Sequence, residues 1–101
     1  MVEIYKSCQI AGFKYYKGFK VFNKLKVGTK LKLKYESNNI YDENAVEVYY
    51  KNTKLGYIPK HQNYSIAQIL KKGHNIFKAY IQNIDNNNNI FIAIVIKKNK
   101  R

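Results

Sequence analysis

The chain has 101 residues, with 19 Lys and Arg against 6 Asp and Glu, for a formal net charge of +13. That length fits one domain, and 46% hydrophobic content is that of a globular chain rather than a basic disordered tail. The lone Cys8 excludes an intrachain disulfide and a cysteine-built zinc site, and no apolar run is long enough for a membrane-spanning helix.

The charge is the first pointer to a partner. Self-repulsion weakens a compact domain carrying this excess, and a polyanion relieves it. Lys, Asn, Ile and Tyr dominate the composition and share A/T-rich codons, so a skewed genome raises all four. Such a skew does not deplete Asp and Glu, and nucleic acid is the expected partner. No basic amphipathic helix of useful length points to a membrane surface. The N-terminus lacks the apolar run of a signal peptide, so the expected compartment is the cytoplasm.

In chain order, residues 5–13 read as a first strand of irregular pattern. Residues 30–36 alternate strictly, with Leu31, Leu33 and Tyr35 toward a core and the lysines toward water. Residues 45–50 give a strand with Val46, Val48 and Tyr50 on one face. Lys51-Asn52-Thr53-Lys54 turns the chain into a short strand over residues 55–58, which Pro59 closes. One principal helix is expected over about residues 63–72. Asn63 or Ser65 would cap it, Ile66, Ala67, Ile69 and Leu70 form its apolar face, and Gly73 suits the position after its end. Residues 76–84 and 90–96 form a closing pair around a hairpin loop at Asp85-Asn86-Asn87-Asn88-Asn89. The last strand is apolar on both faces, as in a buried strand or one that packs on something else. The fold class is mainly β: a small OB-like or SH3-like curved-sheet barrel of about six strands with one helix at an end. A single domain over residues 1–97 with a basic tail at 98–101 is expected.

Catalytic signals are thin. His61 and His74 are the only histidines, and Cys8 sits among Gln9, Ile10 and Ala11, where a buried inert thiol is expected. There is no P-loop, no metal-binding His pair and no dinucleotide turn, so the chain reads as non-enzymatic, with no cofactor and no metal. Three clusters instead combine aromatic and polar groups. Phe13-Lys14-Tyr15-Tyr16-Lys17-Gly18 offers ring faces for base stacking and lysines for phosphate, with one tyrosine expected to pack and the other to be exposed. Asn38-Asn39-Ile40-Tyr41-Asp42-Glu43-Asn44-Ala45-Val46 reads as a turn entering a strand. Leu55-Gly56-Tyr57-Ile58-Pro59-Lys60 ends a strand in a turn that presents Lys60.

In this order, the three clusters resemble the HIRAN domain family over roughly residues 10–96. The string Asn39-x-Tyr41-Asp42-x-Asn44-Ala45-Val46 is the most specific part. Ala11-Gly12-Phe13, Tyr15-Tyr16, Gly18, Val27-Gly28, Gly56-Tyr57-Ile58-Pro59, Asn63, Ile66-Ala67, Leu70 and Gly73 extend it. Ser37 and Ile40 stand where the family often has prolines. The resemblance implies an OB-like barrel that binds DNA, in particular single-stranded 3′ ends, as an accessory to helicase-like proteins at stalled forks and in DNA repair. It also implies that this chain is like the small free-standing bacterial members. Lys14, Tyr15 and Tyr16 fall on the family's Arg-Tyr-Tyr run; Lys keeps the charge but lacks the bidentate fork. Asn39, Tyr41 and Asp42 fall on pocket residues, Tyr57 on a position that is His in eukaryotic end-binding members, Lys60 on a phosphate-contacting Lys, and Phe91 on a pocket aromatic.

Two readings of Asp42 are open. It reads a free 3′-hydroxyl, or it fixes its own turn. The rival functions are a protein-interaction adaptor and an RNA-binding OB-like domain. The implied partners are DNA, a helicase or nuclease, and a second copy docking through Ile90–Ile96.

Overall fold

The structure is a computed structural model and describes residues 3–97. Six antiparallel strands occur in the order β1 (Ile4–Gln9), β2 (Lys30–Tyr35), β3 (Val46–Tyr50), β4 (Thr53–Tyr57), β5 (Phe77–Ile84) and β6 (Ile90–Ile96). In space they run β1-β6-β5-β2-β3-β4. One helix, α1 (Tyr64–Lys71), lies between β4 and β5. The mostly β, OB-like architecture read from the alternation is the one observed. The basic tail at 98–101 lies outside the described residues.

The alternation of β2 does what its pattern dictates: Lys30, Lys32 and Lys34 are exposed while Leu31 is buried. Val46, Val48, Leu55, Ile66, Ile81, Ile92 and Ile94 fill the centre, each almost wholly removed from water. Asp85 organises the β5–β6 loop. Its carboxylate accepts the backbone N–H groups of Asn87 and Asn89, both at 2.9 Å, and Asn88 takes a left-handed φ of 65°. This is how Asp and Asn make turns.

Four expectations need correction. The first strand ends at Gln9, not Phe13. Gly12 adopts a left-handed φ of 74°, and Phe13–Tyr15 begins a run of short 3-10 turns. Between them the chain crosses the barrel: Ile10 N–H bonds to Ile90, and Ala11 exchanges two backbone hydrogen bonds with Tyr57. That bridge closes β4 onto the segment after β1. Gly56 makes the approach feasible, because at its φ of 153° a β-carbon would collide with the Ala11 carbonyl.

Second, Ile90–Ile96 is not an edge that can add to a partner sheet. β1 pairs along one side of it and β5 along the other. Its two-faced apolar pattern comes from a central position in the sheet, and docking of a second copy by strand addition has no free edge there.

Third, neither Asn63 nor Ser65 caps α1. Asn63 occupies the N-cap position without a side-chain cap, and its amide reaches Asp42 instead. The Ser65 hydroxyl accepts from Tyr5. The C-terminal expectation fits: Gly73 N–H bonds to Leu70 and His74 N–H to Ile69, with Gly73 at φ 85°, a Schellman ending. β4 begins at Thr53 rather than Leu55, because the two-residue turn Lys51-Asn52 lets Thr53 pair with Tyr50.

Candidate nucleic-acid interface

The crossing at Ala11–Tyr57 brings the first and third clusters together. Tyr16 packs edge-on against Tyr57, ring centroids 5.8 Å apart. Tyr15, its neighbour, is 74% exposed, and the Lys14 ammonium lies 5.3 Å from its ring centre. One tyrosine is therefore packed and one free, although Tyr16 packs on Tyr57 rather than in the core. Lys14 is exposed.

The second cluster is built by Asn39. Its side-chain oxygen accepts the N–H groups of Tyr41 at 2.8 Å and Asp42 at 2.9 Å, while its amide donates to Glu36 at 2.8 Å. This two-ended clamp holds the loop so that Ile40 and Tyr41 project, 86% and 83% exposed. Lys60 Nζ donates to the Tyr41 carbonyl at 3.3 Å, which places that ammonium beside the loop. Asp42 is fixed through both oxygens. One accepts Asn44 N–H, and the other accepts the buried Asn63 amide, each at 2.9 Å. The turn-fixing reading of Asp42 is thus real. It leaves acceptor capacity, since a carboxylate has about four lone-pair sites.

Beneath these rings lies a charged cluster that sequence reasoning missed. The Tyr57 hydroxyl donates to Glu36 at 2.5 Å and accepts from Lys54 Nζ at 2.7 Å. Lys54 also lies 3.0 Å from Glu47 and 3.8 Å from Glu36, with its ammonium 4.5 Å from the Tyr16 ring centre and 4.2 Å from that of Tyr57. Glu47 is buried, although strand alternation puts it opposite Val46 and Val48. Burial pulls the Lys54 ammonium down, but hydrogen bonds to Tyr57 and Glu47 outweigh it and hold its pKa above the ordinary lysine value. Burial and the bond to Glu36 push the Tyr57 phenol up to about 12. Burial opposes ionisation of Glu36, yet the donors Tyr57 and Asn39 leave its pKa below the usual carboxylate value. All three groups hold their neutral-pH charge states, so Tyr57 is a locked support for Tyr16.

Contacts through Tyr57 link Tyr16 to Asn39, and Asn39 in turn holds Tyr41 and Asp42 with Lys60 beside them, while Lys14 and Tyr15 adjoin Tyr16 in the chain. Phe91 is half-buried on β6 opposite Gln9 and Asn83, and Gln9 and the adjoining Ile90 line a cleft with Lys14 and Tyr15. Phe19, 68% exposed within Lys17–Lys20, is an aromatic close to Tyr16 in the chain that sequence reasoning did not single out. Its only sequence signal was its place between lysines. Cys8 is buried, and that burial, partly offset by Lys6, pushes its thiol up to about 11. No group of His, Cys, Asp and Glu suited to a metal ion occurs among the described residues, nor does a helix long and apolar enough to cross a membrane.

An OB-like barrel with exposed tyrosines, flanking lysines and an anchored Asn-Asp loop defines a small nucleic-acid-binding domain. The family model for the HIRAN domain matches residues 5–99, and the chain belongs to that family. As a HIRAN domain it is a DNA-binding domain rather than a catalytic one. The fold is similar to a Lactobacillus plantarum crystal structure from a structural genomics consortium (TM-score 0.83, 24% identity, 97% of this chain and 98% of that one). It is also similar to the HIRAN domain of human HLTF (TM-score 0.70, 20% identity, 92% of this chain and 76% of that one). No curated protein matches the sequence.

Proposed function

We propose that this domain binds single-stranded DNA and reads a free 3′ end at the Tyr15–Tyr41 rim. The observation that carries the reading is an anchored carboxylate, Asp42, beside the exposed ring of Tyr41 on a strongly basic protein. A carboxylate repels phosphate and is a poor generic DNA contact. It accepts a hydrogen bond from a terminal hydroxyl, and a bond to a charged group is worth about 1.5–3 kcal/mol, roughly ten- to hundredfold. Tyr15, Tyr16 and Tyr41 stack the terminal bases, each worth about 1–3 kcal/mol. Lys14 and Lys60 take the adjoining phosphates, and Asn39 and Tyr57 hold the loop and the Tyr16 ring in position.

The test is fluorescence anisotropy with one short single strand ending in a 3′-hydroxyl or a 3′-phosphate. The hydroxyl form binds at least tenfold tighter to the parent chain, and Asp42→Ala removes the preference. Asn63→Ala breaks the same loop tie but keeps the carboxylate, so it retains the preference. A parent without preference, or Asp42→Ala with the parent's preference, refutes the reading.

A further inference from the structure

Three clefts on the described surface share residues and form one strip. The first, ≈ 780 Å³, lies beside β2 where it parts from β5, and Lys30, Lys32, Lys34 and Lys78 line it. β2 and β5 are paired only at Lys30↔Tyr80 and Leu31↔Ala79, which is why the surface opens there. The second, ≈ 310 Å³, shares Lys32 and Lys34 with the first and adds Lys51 and Asn52 at the β3–β4 turn. The third, ≈ 370 Å³, shares Asn52 with the second and ends at Tyr15, Tyr16, Lys17 and Lys20. No Asp or Glu lines any of the three. Glu36 and Glu47 both face Lys54, 3.8 and 3.0 Å from its ammonium, which offsets one of their two charges.

We infer that this strip is the path of a DNA single strand leading away from the 3′-end site, from Tyr15–Tyr16 over Asn52 and along the lysine face of β2. The inference rests on the proposed end-binding role and extends it to the internal nucleotides. Spacing and charge both argue for this occupant. Residues two apart on a strand share a face and repeat at about 7 Å. Lys30, Lys32 and Lys34 therefore present ammonium groups at the interval at which phosphates succeed one another along an extended single strand. A positive groove that tracks the backbone, with stacking aromatics at one end, is how OB folds hold single strands.

The experiment compares 3′-hydroxyl single strands of about four and about twelve nucleotides, both within the usual site sizes of an OB fold. They are titrated against the parent chain, Lys30→Gln/Lys32→Gln/Lys34→Gln, and a matched control, Lys24→Gln/Lys26→Gln/Lys72→Gln. The control lysines are exposed and line none of these clefts. Thermal melts check that all three fold. The parent gains at least tenfold from the longer strand. The strip variant binds the short strand within about threefold of the parent and loses most of that gain. Its salt slope on the long strand falls by about 2, from roughly 0.7 per lost phosphate contact. The control keeps both the gain and the slope. A strip variant that keeps the gain, or a control that loses as much, overturns the inference. A parent that binds the short strand but gains nothing with length refutes the path alone, whereas a parent that binds neither strand refutes the end-binding role itself.

Discussion

Replacing Lys54 by Met tests whether the charged cluster beneath Tyr16 holds the barrel wall together. The substitution keeps most of the side chain's volume and removes its charge. Glu47 loses its partner at 3.0 Å, Tyr57 loses a donor at 2.7 Å, and two ring faces lose their cation. Removing one partner of a fully buried pair costs about 3–5 kcal/mol, while an exposed pair is worth about 0–1 kcal/mol. The Glu47 side chain is 8% exposed, but Lys54 and Glu36 are 21% and 24% exposed, so water screens part of the interaction. A loss of about 2–3 kcal/mol follows, or roughly 10 °C or more in Tm for a domain of this size. Urea unfolding read by far-ultraviolet circular dichroism measures it. Lys54→Met/Glu47→Gln recovers most of the loss, because the stranded carboxylate is gone. The reasoning is refuted by a loss under about 1 kcal/mol, or by a double variant no more stable than Lys54→Met.

Gly56→Ala sets a β-carbon against the Ala11 carbonyl and within 2.8 Å of the Ile10 side chain, at a φ that disfavours L residues. It costs about 3 kcal/mol or more by thermal melting, and a near-neutral result means that the Ala11–Tyr57 bridge does not close the barrel in solution. The stability that Tyr57 contributes is present below about pH 10 and is lost between about pH 10 and 12, where the unfolded chain releases its proton and the folded chain keeps it. Tyr57→Phe blunts that alkaline limb in urea melts across pH. At the acid end the depressed Glu36 value works the other way: its contribution is present above the ordinary carboxylate pKa of about 4.3 and fades as pH falls below it. Cys8 in the folded chain reacts negligibly with a disulfide reagent at pH 8 and readily in urea; reaction at the free-thiol rate without denaturant contradicts its burial.

Much of this architecture was legible in residue order because local pattern and final environment agree. The alternation through β2, the Asn-rich loop with Asp85 at its start, and the glycine ending of α1 each specify their structure within a few residues. The misreadings share one cause, which is contact between distant segments. Alternation assigns Glu47 to water, yet Lys54 and Tyr49, across and along the sheet, cover it. Asn63 has the chemistry of a helix cap, but Asp42 claims its amide. The apolar faces of β6 fitted either a buried strand or one that docks a partner, and only the sheet order, which puts the strand in the middle, decides between them. Within the candidate site, the local string from Asn39 to Asp42 was readable. The support of Tyr16 by Tyr57 was not, because it depends on the chain crossing at Ala11.

The pairing of β1 with β6 joins Cys8 to Ile92, so an early strand finds its neighbour only in one of the last. On a ribosome, β1 emerges long before the strand that completes its ladder, and its backbone groups wait without that partner until β6 has been made. Contacts of such long sequence separation slow folding, because loop closure precedes any reward. The lysine-rich segments between them then act before any ligand is met. Their mutual repulsion disfavours association of unfinished chains during that interval. The same charge that draws the finished domain to a polyanion thus protects it while it is being made.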